Sequence, residues 1–367
     1  YPEEARFVWH PEGMWAVEEF MRTAGQEEKA RFIAAARAGS IHMDALYAQA
    51  MSGIYTEEEL MELMAAAKRF EKEYGVQIDS IMQSDVPGYT WGLVSALAQN
   101  GVRYMSVGPN AGHRVGWTFE WGDKPFYWVS PSGEHKVLFW MASTGYSWFH
   151  GNPVGHRIEK GKILDYLDRL EQQEYPYDLV MVRYNIGGDN GPPNPALCDF
   201  VKEWNEKYAY PKMIVARNSG AMKRLEERYG DRLPVVKGDF TPYWEDGAAS
   251  TAADKALDRR ACDKLVQAQT LWAMFDRGGY PAERFDQAWT NLIMYDEHTW
   301  GAWNSISEPE AAFVKQQAAY KQKFALEGAR MTEELAVEAV GGKSRAGSNA
   351  VEVVNTCSWP QTQLVIL

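Results

Sequence analysis

Val76-Gln77-Ile78-Asp79-Ser80-Ile81-Met82-Gln83-Ser84-Asp85 reads as a buried strand that closes on a carboxylate, and Val86-Pro87-Gly88-Tyr89 reads as the turn after it. A side chain in that place stands at the carboxyl end of a parallel strand, where α/β enzymes gather their chemistry. Asp ahead of a helix also accepts bonds from uncapped backbone N–H groups. Pro87 and Gly88 set Asp85 back from the first helical turn, which weakens the capping account without removing it. On these residues alone both readings stand.

The neighbouring segments carry the same pattern outward. Upstream, Thr56-Glu57-Glu58-Glu59 spells a capping box, Leu60, Leu63, Met64, Ala67 and Phe70 share one helical face, and Gly75 supplies the stop. Downstream, a helix from Trp91 to Gln99 ends at Asn100-Gly101, and Val102 to Val107 predicts the next strand before Gly108-Pro109-Asn110. Between Trp117 and Trp148 the texture turns to aromatic-rich strands, with Pro131-Ser132-Gly133 as a hairpin turn. Leu179 to Ile186 predicts a further strand that runs into Gly187-Gly188-Asp189-Asn190-Gly191-Pro192-Pro193, a second carboxylate in a Gly/Pro loop at a strand end. Alternation of this kind from Phe7 to about Phe240 predicts an α/β fold, a parallel sheet wrapped by helices.

After Asp239-Phe240 the pattern becomes helical without strands, and segments near 252 to 276, 283 to 297 and 308 to 338 predict a three-helix unit. Gly341 to Ser348 has the composition of a linker, and Ala350 to Val354 alternates like the first strand of a β domain. The expected organisation is a catalytic domain over 1–245, a helical bundle over 246–340, and a linker with the first strands of a β domain over 341–367.

The chain has 367 residues and a formal net charge of −12, with no Lys/Arg run. Nucleic acid and anionic membrane surfaces are therefore not expected partners. No apolar stretch approaches the roughly 20 residues of a membrane span. Cys198, Cys262 and Cys357 lie far apart and show neither metal spacing nor a disulfide framework. A cytoplasmic location is slightly favoured. The chain opens at Tyr1 without an initiator Met or signal peptide and stops at Leu364-Val365-Ile366-Leu367, inside what reads as a strand, so both ends read as cut.

Asp85 and Asp189 suit a pair of carboxylates flanking a scissile glycosidic bond, which in retaining enzymes stand about 5 to 5.5 Å apart. Turn-forming Asp is also common in such loops. Among the seven histidines, His298 has the most unusual setting, in Tyr295-Asp296-Glu297-His298-Thr299-Trp300-Gly301 just past an apolar helical run. A ring nitrogen there could ligate zinc together with carboxylates. The plainer reading is a His at a helix C-terminus, favoured by the dipole. His42-Met43-Asp44 is an H-x-D triplet whose alternate residues would share one face of a strand, or a run of ordinary polar residues in a loop. Several of the 15 Trp and 19 Tyr fall in the loops named above: Tyr89, Trp91, Trp117, Trp121, Tyr146, Trp148, Tyr243, Trp244, Trp300 and Trp303. Rings in loops suit stacking on sugar faces, although most aromatic residues serve packing.

The ordered set Asp85-Val86-Pro87-Gly88-Tyr89, Gly187-Gly188-Asp189-Asn190, Gly238-Asp239-Phe240 with Tyr243-Trp244, and Asp296-Glu297-His298-Thr299-Trp300-Gly301 resembles glycoside hydrolase family 38, the α-mannosidases, in a divergent bacterial branch. The likeness covers nearly the whole chain. It implies a seven-stranded α/β barrel, a helical bundle and the start of a β-sandwich domain. It also implies a zinc-dependent retaining hydrolase of α-mannosides or related α-glycosides, with Asp85 as nucleophile and zinc ligand, His298 as zinc ligand and Asp189 as acid/base. Tyr89, Trp91, Tyr146, Tyr243, Trp244 and Trp300 become the expected sugar-binding residues, and a homo-oligomer is in keeping with the family.

Three departures qualify the resemblance. The family's H-x-D zinc pair lies on a strand before the segment like Arg6-Phe7-Val8-Trp9, so the first strand and two ligands are expected upstream of Tyr1, and His42-Met43-Asp44 is not assigned to the metal. Asn190-Gly191-Pro192-Pro193 replaces an aromatic after Asp189, and Gly108-Pro109-Asn110 lacks an Arg that better-known members carry. Two other readings stay in view: a metal-dependent carbohydrate deacetylase, which the absence of H-x-x-x-H spacing disfavours, and an inactive carbohydrate-binding homologue that keeps the aromatic loops.

Overall fold

The structure, a computed structural model, describes residues 1–110, 120–143, 145–146, 160–183, 195–241, 243–275, 278–299, 304–341 and 351–364. It forms two compact units, Tyr1–Asp246 and Gly247–Leu367.

In the first unit the helices α1 (Met14–Thr23), α2 (Gln26–Arg37), α3 (Glu57–Glu62) and α4 (Ala65–Tyr74) lead to the strand β1 (Ser80–Asp85). The capping box forms as its residues require. Thr56 Oγ1 accepts from Glu59 N at 3.2 Å, Glu59 Oε2 accepts from Thr56 N at 2.7 Å, and Gly75 takes the left-handed conformation at φ +66° that ends α4. Leu60, Leu63, Met64, Ala67 and Phe70 are all buried. A break at Leu63-Met64 divides what reads in sequence as one helix.

Beyond β1 come α5 (Leu93–Gln99), β2 (Tyr104–Pro109), and the hairpin of β3 (Phe126–Val129) and β4 (Lys136–Met141). The hairpin turns where Pro131-Ser132-Gly133 predicts, with Gly133 at φ +82° and Ser130 and His135 closing the loop. Three more helices, α6 (Lys160–Gln172), α7 (Ala196–Lys207) and α8 (Asn218–Tyr229), and the short β5 (Val235–Val236) complete the unit. The five strands form one sheet in the order β1-β2-β4-β3-β5. β1, β2 and β4 run parallel, β3 is antiparallel to β4, and β5 is parallel to β3. Phe126, Trp128, Phe139 and Trp140 are each at most 1% exposed, and burying side chains of this size is worth about 1.5–3 kcal/mol apiece.

The chain before β1 makes isolated backbone contacts, one of them with β1. Trp9 bridges Ile41 in parallel, and Ala45 N donates to Ser80 O at 3.1 Å. Side chains take up further β1 groups on that edge: Met82 N donates to Asp44 Oδ2 at 2.5 Å, and Ser84 N donates to Gln49 Oε1 at 3.0 Å. Gln83 Nε2 donates in turn to Ala50 O at 2.9 Å.

Two expected strands differ. Of the expected strand Leu179 to Ile186, residues 184–186 lie outside the described residues, and 179–183 join no backbone ladder among the described residues; they attach through side chains, with Leu179 and Met181 packed on the core of Tyr104, Leu138, Trp140 and Leu225, and Arg183 bonded to β1. Residues 351–364 are not strand either, because a strand persists only through a laddered partner and none of the described segments pairs with them. The described residues thus give a mixed α/β fold with a five-stranded, mostly parallel sheet.

The second unit holds α9 (Ala252–Phe275), α10 (Ala282–Tyr295) and α11 (Ala312–Ala339), in the places the helical periodicity predicts. Lys255 on α9 pairs with Asp258 at 2.8 Å and with Asp296 at the end of α10. Lys321 on α11 donates to Met294 O at 2.8 Å and Glu297 O at 3.1 Å, satisfying carbonyls that the end of α10 leaves open. No helix among the described residues is long and apolar enough to cross a membrane.

Candidate active site

Asp85 ends β1 opposite Pro109 and sits at φ +72°, in the left-handed region that non-glycine residues enter at a cost. Asn110 holds it twice, through Nδ2 to Asp85 Oδ1 at 2.8 Å and through its own N–H to Asp85 O at 2.9 Å. The capping alternative fails, because the N-cap position of α5 is Gly92. Strain of this kind concentrates at functional sites, where surrounding contacts can hold it.

Arg183 braces the same strand end. Its Nη1 donates to Gln83 O at 2.7 Å and its Nη2 to Ser84 Oγ at 2.7 Å, while Ser84 Oγ also bonds Glu12, which lies 3.8 Å from Arg183. Burial lowers the Arg183 pKa, and the Glu12 carboxylate opposes that shift. Gly108 is glycine for a steric reason. A Cβ there would stand 2.6 Å from Arg183 Nη1 and 2.7 Å from Tyr146 Cα.

The loop after β1 and the segment after β5 meet, bringing two of the sequence motifs together. Tyr89 N donates to Phe240 O at 3.2 Å and Phe240 N to Tyr89 O at 3.1 Å. Gly88 adopts φ +92°, and a Cβ on it would come within 3.0 Å of the Tyr243 ring. Asp239 fixes the turn by accepting from Thr241 N at 2.8 Å and Trp91 N at 3.3 Å.

Sequence reasoning missed Glu245, which lies against this loop. Its Oε2 accepts from Tyr243 N at 2.5 Å, whereas its buried Oε1 has no hydrogen-bond partner among the described residues. Only its spacing from Tyr243-Trp244 could have flagged it.

The expected sugar-binding aromatics divide. Tyr89 is corrected to a core residue: it is 1% exposed, packs on Phe139 and donates its hydroxyl to Val86 O at 2.6 Å, so it has no face to offer a ligand. Trp91 is half-buried and donates its indole N–H to Val129 O at 2.7 Å, leaving only its ring for stacking. Tyr146, Tyr243 and Trp244 are half-buried. Asp189 and Trp300 lie outside the described residues.

His42-Met43-Asp44 serves the fold. His42 Nε2 bonds Ser80 Oγ at 2.9 Å, and Asp44 accepts from Leu46 N and Met82 N. Burial raises the Asp44 carboxyl to about 8. Burial likewise lowers His42 to about 4, and lowers His10, whose ring packs on His42 at 4.9 Å, to about 3.

His298 follows α10 in the second unit, with Nδ1 hydrogen-bonded to Glu297 Oε1. Burial alone would raise Glu297, but His298, Lys321 and Thr299 outweigh it and hold the carboxyl at about 2. A histidine that donates one ring N–H to a carboxylate presents its other nitrogen as a metal ligand, a pairing that recurs at zinc sites. Histidine and aspartate are each among the donor types that zinc accepts.

Residues 3–246 match the family described as glycosyl hydrolases family 38 N-terminal domain. The chain belongs to glycosyl hydrolase family 38. Among solved structures, the family 38 chain is similar to an alpha-mannosidase from Enterococcus faecalis V583, at 17% identity and a TM-score of 0.70, over 92% of this chain and 38% of that one. It is also similar to a family 38 protein from Enterococcus faecalis, at 16% identity and a TM-score of 0.63, over 92% of this chain and 35% of that one. These likenesses speak to the fold, and the chain spans well under half the length of either protein. No curated protein sequence matches it.

Proposed function

We propose that this family 38 chain is the catalytic part of a zinc-dependent retaining glycoside hydrolase acting on α-mannosides or related α-glycosides. The observation that carries the reading is Asp85, a carboxylate held in the left-handed region at the carboxyl end of a parallel strand by two bonds from Asn110. Residues 1–245 would form the catalytic domain, built as a seven-stranded barrel, with 246–340 as a helical bundle and 341–367 leading into a β domain. Three free thiols accord with a cytoplasmic location.

In this reading Asp85 attacks the anomeric carbon while Asp189 donates a proton to the departing glycosidic oxygen, leaving the sugar esterified to Asp85. Asp189, now a carboxylate, takes a proton from water as the water oxygen attacks the same carbon and frees Asp85. Asn110 and the Arg183 brace fix the trajectory of the Asp85 carboxylate. Asp85 and His298 would contribute ligands to the metal. Bound zinc would supply an electrophile for sugar hydroxyls that favours a distorted ring. His42 and Asp44 are committed to Ser80, Leu46 and Met82, which supports leaving them out of the metal site. Membership of family 38 favours hydrolysis over the deacetylase and binding-only readings.

The test is zinc content and aryl α-mannoside hydrolysis on one preparation, with the first-formed anomer followed by NMR. Zinc-dependent release of the α-anomer supports the proposal. Hydrolysis with inversion, or turnover that survives full chelation of the metal, refutes it.

A further inference from the structure

A second polar arrangement among the described residues surrounds Glu297. Its Oε1 faces His298 Nδ1, and its Oε2 accepts from Lys321 Nζ at 3.2 Å, from Thr299 N at 3.0 Å and from Thr299 Oγ1. Lys321 is itself 8% exposed and is anchored by Met294 O and Glu297 O, so the carboxylate is held from a neighbouring helix as well as from its own turn. A carboxylate can only accept, so the proton shared with the neutral ring resides on His298 Nδ1. The ring then carries its lone pair on Nε2.

We infer that Glu297, fixed by Lys321 and Thr299, is a positioning residue that sets the tautomer and orientation of His298 for metal ligation. The inference rests on the proposed role of His298. All four residues lie in the second unit. A plain structural role, capping the end of α10, would hold the same bonds but would not need the His298 proton on Nδ1. Second-shell carboxylates of this kind typically change metal affinity about 10–100-fold when removed.

Two readouts test it on the intact protein. Long-range proton–nitrogen NMR of the metal-free protein, at a pH where the ring is neutral, is expected to show His298 with Nδ1 protonated. Glu297→Ala should shift it toward the Nε2-protonated form, and Lys321→Met or the milder Thr299→Ala should shift it part of the way. Zinc affinity measured by competition with a chelator should fall about 10–100-fold in Glu297→Ala. An Nε2-protonated His298 in the unaltered protein overturns the inference, as does zinc affinity unmoved by Glu297→Ala. A Glu297-dependent Nδ1 tautomer in a protein that takes up no zinc would sustain the positioning and reject the zinc reading instead. Should Glu297→Ala fail to fold, Thr299→Ala carries the same comparison, and a tautomer it leaves unchanged counts against the inference.

Discussion

Gly108→Ala probes the packing behind Asp85. The added methyl would stand 2.6 Å from Arg183 Nη1 and 2.7 Å from Tyr146 Cα. Arg183 cannot swing aside cheaply, because the same Nη1 lies 2.7 Å from Gln83 O and Nη2 lies 2.7 Å from Ser84 Oγ. Losing a hydrogen bond of a charged group costs about 1.5–3 kcal/mol. Moving the Tyr146 backbone adds an overpacking cost of about 1–3 kcal/mol. The first unit should therefore lose about 3 kcal/mol or more. Gly75→Ala is the control: at φ +66° with no atom within 4 Å of the new methyl, it should pay only the left-handed penalty of about 1–2 kcal/mol. Because two compact units need not unfold together, the assay is hydrogen exchange at rising urea, read on peptides covering β1 and β2. A Gly108→Ala loss no larger than that of Gly75→Ala would refute the brace.

Asp85→Asn should leave stability within about 1 kcal/mol, since Asn tolerates the left-handed region and its Oδ1 can still accept from Asn110, while turnover falls at least ~1,000-fold. Thermal unfolding beside initial rates checks both halves. His10 and His42, lowered by burial to about 3 and about 4, stay neutral in the folded chain while their unfolded counterparts protonate below 6.5. Acidification from 6.5 toward 4 should thus cost the first unit about 1.4 kcal/mol per pH unit for each histidine, and His42→Gln should lessen the acid loss in exchange-monitored unfolding by one such share. Asp44, raised by burial to about 8, acts with the opposite sign, so its contribution falls as pH rises from about 4 to 8 and Asp44→Asn should remove that decline. Asp189→Ala should slow substrates with poor leaving groups far more than activated aryl glycosides, and equal losses would argue against an acid/base role.

Much of the fold was legible because local chemistry and tertiary packing agree. Thr56 and Glu59 spell the cap they form, Gly75 stops the helix it was expected to stop, and the Pro131 to Gly133 turn joins the two strands that flank it. The 179–183 segment misled because an apolar alternating run announces burial, not a ladder. Leu179 and Met181 are indeed packed, but the backbone makes no sheet ladder among the described residues. Tyr89 was misplaced for a similar reason. A Tyr in a Gly/Pro loop looks exposed, and only the reciprocal bonds between Tyr89 and Phe240 fold that loop back over the core. Asp85 stood out from its position at a strand end, whereas its left-handed backbone and the Arg183 brace depend on residues distant in sequence. Glu245 had no local signal beyond its spacing from Tyr243-Trp244, since Gly53 and Gly88, which it also meets, lie far away along the chain.

The central claim is that Asp85 forms the covalent bond to the sugar, and trapping that bond tests it most directly. Incubation with a fluorosugar α-mannosyl fluoride, which slows the second step, followed by peptide mapping should place one sugar adduct on the peptide containing Asp85, with fragmentation locating it on that carboxylate. An adduct on a different carboxylate, or catalytic turnover of α-mannosides with no labelled peptide, would contradict the account.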